Sequence, residues 1–106
     1  MNSKVCYGKT VLKNQDTKDS TINNIIELEY YKIKRRKHHF LKRYTETYGI
    51  EIIKKEYQGK RINIEKEEVD IINNKKVSID FILEKLRDYQ VTPIALKDVI
   101  EDMIYG

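Results

Sequence analysis

Residues 77–106 read VSIDFILEKLRDYQVTPIALKDVIEDMIYG, and this stretch decides the fold because its apolar residues recur at helical spacing. Ser78 stands at the N-cap position of a first helix, and Asp80 in the first turn suits the positive end of the helix dipole. Thr92 and Pro93 give a second helix a capping residue and a preorganised first position. The pattern predicts helices over about residues 78–90 and 93–104, joined as an antiparallel αα-hairpin.

The residues before this stretch alternate with the period of a β-strand. Ile26, Leu28 and Tyr30 are separated by polar or mixed residues, and a second alternating run follows up to residue 57. The Gln58-Gly59-Lys60 segment then predicts a short hairpin turn before a third run. We therefore expect an α+β fold with a small antiparallel sheet of three to four strands over residues 25–72 and the helical hairpin packed on one face.

The third run contains a conflict of parity. Ile62 and Ile64 occupy even positions, whereas Val69 and Ile71 occupy odd ones, so a regular strand cannot place both pairs on one face. This predicts a bulge or break near residues 66–68. Gly49 in the preceding run predicts a bulge or the point where strand pairing changes.

The N-terminal part of the chain is less regular. Residues 5–12 predict a short strand with poor alternation, and residues 14–24 (NQDTKDSTINN) have the polar composition of a linker. The predicted organisation is an N-terminal strand or flexible segment over residues 1–24 and a single α+β domain over residues 25–106. A length of 106 residues suits one domain.

Composition and motifs exclude several classes of function. Cys6 is the single cysteine, the N-terminus lacks the apolar core of a signal peptide, and no apolar run is long enough to span a membrane, so we expect a cytoplasmic protein without membrane contact. The sequence shows no Gly-rich phosphate loop, HExxH or CxxC motif. We therefore predict no enzyme activity, no catalytic residue, no metal site and no cofactor.

The net charge of +4 is unevenly distributed: residues 1–60 carry +7 and residues 61–106 carry −3. The abundance of Lys follows in part from A/T-rich codons, but seven cations fall within twelve residues, interleaved with aromatic residues. This segment, which we name the basic ribbon, predicts a nucleic-acid-binding surface as one of two functional hypotheses. A solvated strand edge that discourages aggregation is the plainer alternative. The ribbon consists of Lys32, Lys34, Arg35, Arg36, Lys37, Lys42 and Arg43.

The second hypothesis concerns the last helix. Asp98, Glu101 and Asp102, which we name the acidic stripe, fall on one side of it at spacings of three and four. A simple solvated helix face is the plainer alternative for these acids. Acids in the last turns oppose the helix dipole, which favours a facing basic surface, either a partner or the basic ribbon of this chain. The leading prediction is a non-enzymatic protein-interaction or regulatory module that binds another protein through these acids. A homodimer through a free strand edge is compatible with either hypothesis.

Two segments, YGIEI at residues 48–52 and VTPIALKDVIED at residues 91–102, carry a resemblance. They resemble a family of small uncharacterised clostridial, that is Firmicute, proteins with a domain of unknown function that ends in a Val-Thr-Pro…Leu…Asp-Val-Ile-Glu-Asp motif. The resemblance implies a bacterial cytosolic protein. It implies no activity, cofactor or catalytic residue.

Overall fold

The computed structural model describes residues 2–13, 25–38, 44–71 and 77–105. Within these residues four strands precede two helices, which confirms the predicted α+β class. The helices begin and end close to their predicted limits. The elements are β1 (Asn2–Lys13), β2 (Ile25–His38), β3 (Tyr44–Gln58), β4 (Arg61–Ile71), α1 (Ile79–Asp88), a 3-10 turn (Pro93–Ala95) and α2 (Leu96–Tyr105).

The strands form one antiparallel sheet in the order β1-β2-β3-β4, so that each strand pairs with its neighbour in the sequence. The sheet thus has the four strands that the prediction allowed. It begins before residue 25, because β1 pairs with β2 along its length and forms one edge. The predicted linker at residues 14–24 lies outside the described residues.

The two faces of the sheet differ. On β2, Leu28 and Tyr30 point toward the helices, whereas Glu29 and Tyr31 point the other way, as strand alternation requires. We name these sides the helical face and the open face, since no described helix lies on the second. On the helical face, α1 lies against β1 and β2, and α2 with the 3-10 turn lies against β3 and β4.

The core lies between the helical face and the two helices. Tyr30, one of its largest fully buried residues, donates a hydrogen bond from its hydroxyl to the carbonyl oxygen of Val91 over 3.0 Å. Burial raises the pKa of this phenol to about 12. The bond ties the centre of the sheet to the connection between the helices. The core residues are Leu28, Tyr30, Ile50, Ile52, Ile71, Ile82, Leu83, Leu86, Val91, Leu96, Ile100 and Ile104.

The bulge predicted at Gly49 and the bulge or break predicted near residues 66–68 are wrong, whereas the described pairing between β3 and β4 does start beside Gly49, at Tyr48. β4 pairs with β3 in an unbroken register, and β3 pairs with β2 without a shift at Gly49. The parity conflict is resolved by exposure: Val69 and Ile71 lie on the helical face, while Ile62 and Ile64 lie on the open face and are 55% and 54% exposed. The prediction failed because it required all four apolar side chains to share one core.

The bulge occurs instead in β1, where the register shifts between Cys6 and Gly8 and leaves Tyr7 as the extra residue. The Tyr7 ring packs against the core, and the Arg87 guanidinium of α1 lies 5.4 Å from the ring centroid. Gly8 leaves room for this arginine, because a Cβ there would lie 3.0 Å from the Arg87 Cδ. The bulge therefore orients the Tyr7 ring toward α1.

The helix ends confirm one predicted cap and correct another. The Phe81 N–H donates to the Ser78 Oγ over 3.1 Å, which confirms Ser78 as the N-cap. Thr92 occupies the cap position of the 3-10 turn, but its side chain makes no capping hydrogen bond. Its carbonyl oxygen accepts from the Ala95 N–H over 3.1 Å, which is the i to i+3 hydrogen bond of the 3-10 turn.

The C-terminus of α1 is a Schellman motif with glutamine in the place usually taken by glycine. Gln90 has a positive φ of 53°, its N–H donates to the Arg87 carbonyl, and the Val91 N–H donates to the Leu86 carbonyl. Val91 and Leu86 both belong to the core, which supplies the apolar contact typical of the motif. This turn directs the chain from α1 toward α2.

Candidate functional site

The acidic stripe lies on the solvent side of α2. Asp98, Glu101 and Asp102 are all exposed, whereas Leu96 and Ile100 of the same helix are buried against the sheet. No ion pair joins any of the three acids to another described residue, so the negative charge of this side is not neutralised within the described part of the fold.

Two apolar side chains lie on the same side of the helix as the stripe. Ile94 in the 3-10 turn is 85% exposed, and Tyr105 at the end of α2 is 75% exposed. Positions 94, 98, 101 and 105 are separated by four, three and four residues, which places them in one row along a helix. The exposed side of α2 therefore carries the acidic stripe with an apolar residue at each end, together with the exposed Lys97 beside Glu101.

The dipole of α2 adds to the negative potential of this surface. The last turn of α2 contains no basic residue, so the partial negative charge of the carbonyl ends is added to that of Glu101 and Asp102. Each such acid costs roughly 0.3–1 kcal/mol of helix stability when exposed. Cationic groups of a bound molecule would relieve this repulsion.

The basic ribbon, in contrast, is paired with acids of the same chain. On the helical face, Glu46 of β3 accepts from Arg36 over 2.8 Å and lies 3.6 Å from the Lys34 Nζ. The hydrogen bond from Arg36, together with the charge of Lys34, lowers the pKa of the Glu46 carboxyl despite its partial desolvation. Lys34 and Arg36, two of the predicted nucleic-acid contacts, thus share the carboxylate of Glu46.

Arg35 lies on the open face and forms ion pairs with Glu68 and Asp70 of β4. These contacts span two strands, because β3 lies between β2 and β4. Gly49 of β3 allows the arginine to cross: a Cβ there would lie 3.1 Å from the Arg35 Nη1 and 3.3 Å from the Val69 carbonyl oxygen. Glycine at this position therefore makes room for the Arg35 side chain and does not mark a bulge.

Lys32 contacts the first helix, where its Nζ lies 3.1 Å from the Asp80 Oδ1 and 5.5 Å from the centroid of the Tyr48 ring. Lys42 and Arg43 lie outside the described residues, and so does the side chain of Lys37. Each of the four ribbon cations whose side chains are described contacts a carboxylate of this chain. None of these carboxylates belongs to the acidic stripe.

A cleft of about 460 Å³ opens beside the Lys32–Asp80 pair, at the end of the helical face that α1 leaves uncovered. The lining includes both basic and acidic side chains, and its apolar part comes from β1 and β3. With two lysines and one aspartate, the charged part of the lining is net positive. The cleft is lined by Ser3, Val5, Cys6, Tyr7, Lys32, Lys34, Tyr48 and Asp80.

Within the described residues, no three His, Cys, Asp or Glu side chains lie close enough together to hold a metal ion. None of the described helices is both long enough and apolar enough to cross a membrane.

Comparison with known protein families gives a match over residues 9–106, to the model of a family of unknown function, DUF6514. The chain belongs to this family. The match extends from β1 to the end of α2 and confirms the predicted membership of a domain-of-unknown-function family. No curated protein and no solved structure matches this DUF6514 chain.

Sequence reasoning missed Ile94 and Tyr105 as members of the exposed side of α2. Their spacing from Asp98 and Glu101 contained the necessary signal, but each was a single apolar residue next to a charged row. The cleft gave no signal at all, since its residues come from three strands and a helix whose register only the structure provides.

Proposed function

We propose that this DUF6514 protein is a non-enzymatic interaction module that binds a basic segment of another protein on the exposed side of α2. One observation carries the proposal: the acidic stripe has no ionic partner among the described residues, whereas the described ribbon cations are paired within the fold. The acids on α2 are therefore available to a partner, whereas the four described cations of the basic ribbon are already engaged.

The apolar residues on α2 support a partner with mixed chemistry. Ile94 and Tyr105 are exposed at the two ends of the acidic row, where they can anchor apolar side chains of a bound segment. Tyrosine is enriched among residues that dominate interface energies. The proposed partner segment carries Lys or Arg residues at its centre and apolar residues on either side.

Electrostatic attraction of this kind acts mainly on the rate of association and on specificity. Exposed charges are screened by salt over a Debye length of about 8 Å at physiological ionic strength. Binding on α2 is therefore expected to weaken as salt rises, with a residual affinity from the apolar contacts.

Capture from a bacterial lysate tests the proposal with matched variants. The test variant is Asp98→Lys with Glu101→Lys, and the control is Glu84→Lys with Asp88→Lys on the exposed side of α1. Both change the net charge equally. Quantitative mass spectrometry is expected to find proteins that the wild type and the control retain but the α2 variant loses. These proteins are expected to carry Lys- or Arg-rich segments, and purified examples are expected to shift the amide NMR signals of α2. Equal recovery by all three baits would refute the proposal.

Nucleic-acid binding through the basic ribbon remains the rival hypothesis. It receives less support, because contact with phosphates would have to displace Glu46, Glu68, Asp70 or Asp80 from the cations. The rival predicts a mobility shift of single-stranded DNA or RNA at low salt that disappears when Arg35, Arg36 and Lys37 are replaced by Ser. The absence of any shift for the wild type removes it.

A further inference from the structure

The outer edge of β4 is the starting point for an inference about self-association. β4 is the last strand of the sheet and has a neighbour only on its β3 side within the described residues. Residues 61–68 are exposed, contain no proline and run without a bulge. A long, regular edge without proline or a bulge can serve as a template for pairing with another strand, provided that the charges along it are matched by the partner.

Two apolar side chains of this edge are unusually exposed to solvent. Ile62 and Ile64 lie on the open face of the sheet and are each more than half exposed, in contrast to Ile71 at the other end of the strand, which is buried. The α2 layer lies against β4 where Val69 and Ile71 form part of the core or pack beside it. The segment free of the helices is therefore residues 61–68, and Ile64 lies next to its centre.

We propose that β4 pairs antiparallel with β4 of a second copy of this chain about a two-fold axis through Ile64, so that two four-stranded sheets form one eight-stranded sheet. In this register residue 61 lies opposite residue 67 of the second copy, and residue 62 opposite residue 66. Arg61 then faces Glu67 twice, once on each side of the axis. The two copies of Ile62 and Ile64 form one continuous apolar row on the open face.

Charge complementarity selects this register over its neighbours. An axis through Lys66 places Glu65 opposite Glu67, and an axis through Asn63 places Lys60 opposite Lys66; both juxtapose like charges. An axis through Glu65 places Ile62 opposite Glu68. Only the register centred on Ile64 matches opposite charges over the free segment without juxtaposing like ones.

The Arg61–Glu67 pair can form only between two molecules. Six residues separate them along one extended strand, a distance of about 20 Å at roughly 3.4 Å per residue. Neither residue has an ion pair with another described residue. Their complementarity therefore has no role within one chain.

Charge reversal tests the register directly. Arg61→Glu and Glu67→Arg are each expected to weaken the dimer at least tenfold, and the double variant is expected to restore it, as measured by sedimentation equilibrium. Circular dichroism is expected to stay unchanged, because both side chains are exposed. A monomeric wild type at high micromolar concentration, or a double variant no better than the single ones, overturns the proposal.

Cross-linking provides a second readout that does not depend on affinity. In a Cys6→Ser background, Ile64→Cys places two thiols on strands whose Cα atoms lie about 5.5 Å apart, within the span of a disulfide. The matched control Ile62→Cys separates its thiols by four residues, about 13 Å. Diamide is expected to link the first variant into a covalent dimer and not the second. Equal linking of both, or of neither, contradicts the register.

This surface is independent of the one proposed on α2. The Asp98→Lys, Glu101→Lys variant is expected to dimerise like the wild type, so that a failure of either proposal leaves the other unaffected.

Discussion

The helical face and the open face of the sheet are built from the same strands, yet they exclude water by different means. On the helical face, apolar side chains such as Leu28 and Ile52 meet the apolar sides of two helices. On the open face, Ile33 and Ile53 are each only 7% exposed although no described helix covers them. Their cross-strand neighbours are Lys4 for Ile33 and Glu29 and Lys66 for Ile53. The aliphatic stems of charged side chains thus provide part of the cover.

Glu29 is the centre of this second arrangement. Its side chain is only 4% exposed and lies 3.1 Å from the Lys55 Nζ and 3.4 Å from the Lys9 Nζ, which come from the two neighbouring strands. Burial alone would raise the pKa of Glu29, but the hydrogen bonds and charges of Lys55 and then Lys9 outweigh it and lower the pKa. The same contact raises the pKa of Lys55. One face is therefore held mainly by hydrophobic burial and the other in part by ion pairs that depend on pH.

The largest expected effect comes from opening the helical face. Leu86→Ala removes a fully buried side chain of α1 and is expected to lower the free energy of unfolding by about 2–5 kcal/mol, through lost burial and the cavity left behind. Urea denaturation followed by circular dichroism measures it. Val11→Ala on the open face, where Val11 is 54% exposed, is the matched control and is expected to cost at most about 1 kcal/mol. Equal costs would remove the contrast between the faces.

The next effect concerns the attachment of the helices to the sheet. Tyr30→Phe keeps the buried ring but leaves the Val91 carbonyl without its donor, which is expected to cost about 1–3 kcal/mol. Tyr105→Phe, at an exposed ring, serves as the control and is expected to leave the free energy of unfolding within about 0.5 kcal/mol. A Tyr30→Phe variant as stable as the wild type would show that the Val91 carbonyl finds another donor or needs none.

The contribution of the Glu29 ion pairs on the open face is tested by measuring stability as a function of pH. A carboxyl whose pKa is lowered by folding stabilises the fold above its ordinary pKa of 4.5, and this contribution is lost as pH falls through the folded value. Glu29→Gln is therefore expected to be less stable than the wild type by about 1 kcal/mol at pH 7, a value that allows for the exposure of both lysines. The difference is expected to shrink toward pH 3. Glu84→Gln, at an exposed helix position, is expected to show no such trend, and a pH-independent difference for Glu29→Gln would contradict the ion-pair account.

The smallest effect is a gain in stability within the helical layer. Gln90 holds a left-handed conformation that glycine adopts without steric cost, so Gln90→Gly is expected to raise the free energy of unfolding by about 0.5–1 kcal/mol. Gln58→Gly at the end of β3, an extended position, is expected to lower it by a similar amount. Thermal denaturation of the two variants side by side measures both signs. A loss in both would show that the Gln90 side chain has a role beyond its backbone.

The helical part of this fold could be predicted from the sequence because its signals are local. Ser78 as a cap and the apolar spacing of α1 and α2 depend on residues three or four positions apart. The end of α1 could not be predicted in the same way, since Gln90 in the position of a C-terminal glycine gives no compositional signal. The bulge at Tyr7 depends on its packing against Arg87, a contact between distant parts of the chain.

In the candidate site, too, local features could be predicted from the sequence and contacts between distant residues could not. The acidic stripe follows from helical spacing within five residues, so it could be located from the sequence. The pairing of the basic ribbon could not, because Glu46, Glu68 and Asp80 meet it only through strand register and helix placement. The parity of Ile62 and Ile64 predicts a bulge only if they share a face with Val69 and Ile71, whereas the regular register of β4 leaves them exposed on the open face.

The order of the strands has a consequence for synthesis. Each strand pairs with the strand that precedes it in the chain, so the sheet can grow hairpin by hairpin as the polypeptide leaves the ribosome. The two helices that cover its apolar side emerge after all four strands. Until they arrive, Leu28, Ile50 and Ile52 face solvent on a nascent sheet, and that interval is when this chain is most vulnerable to aggregation.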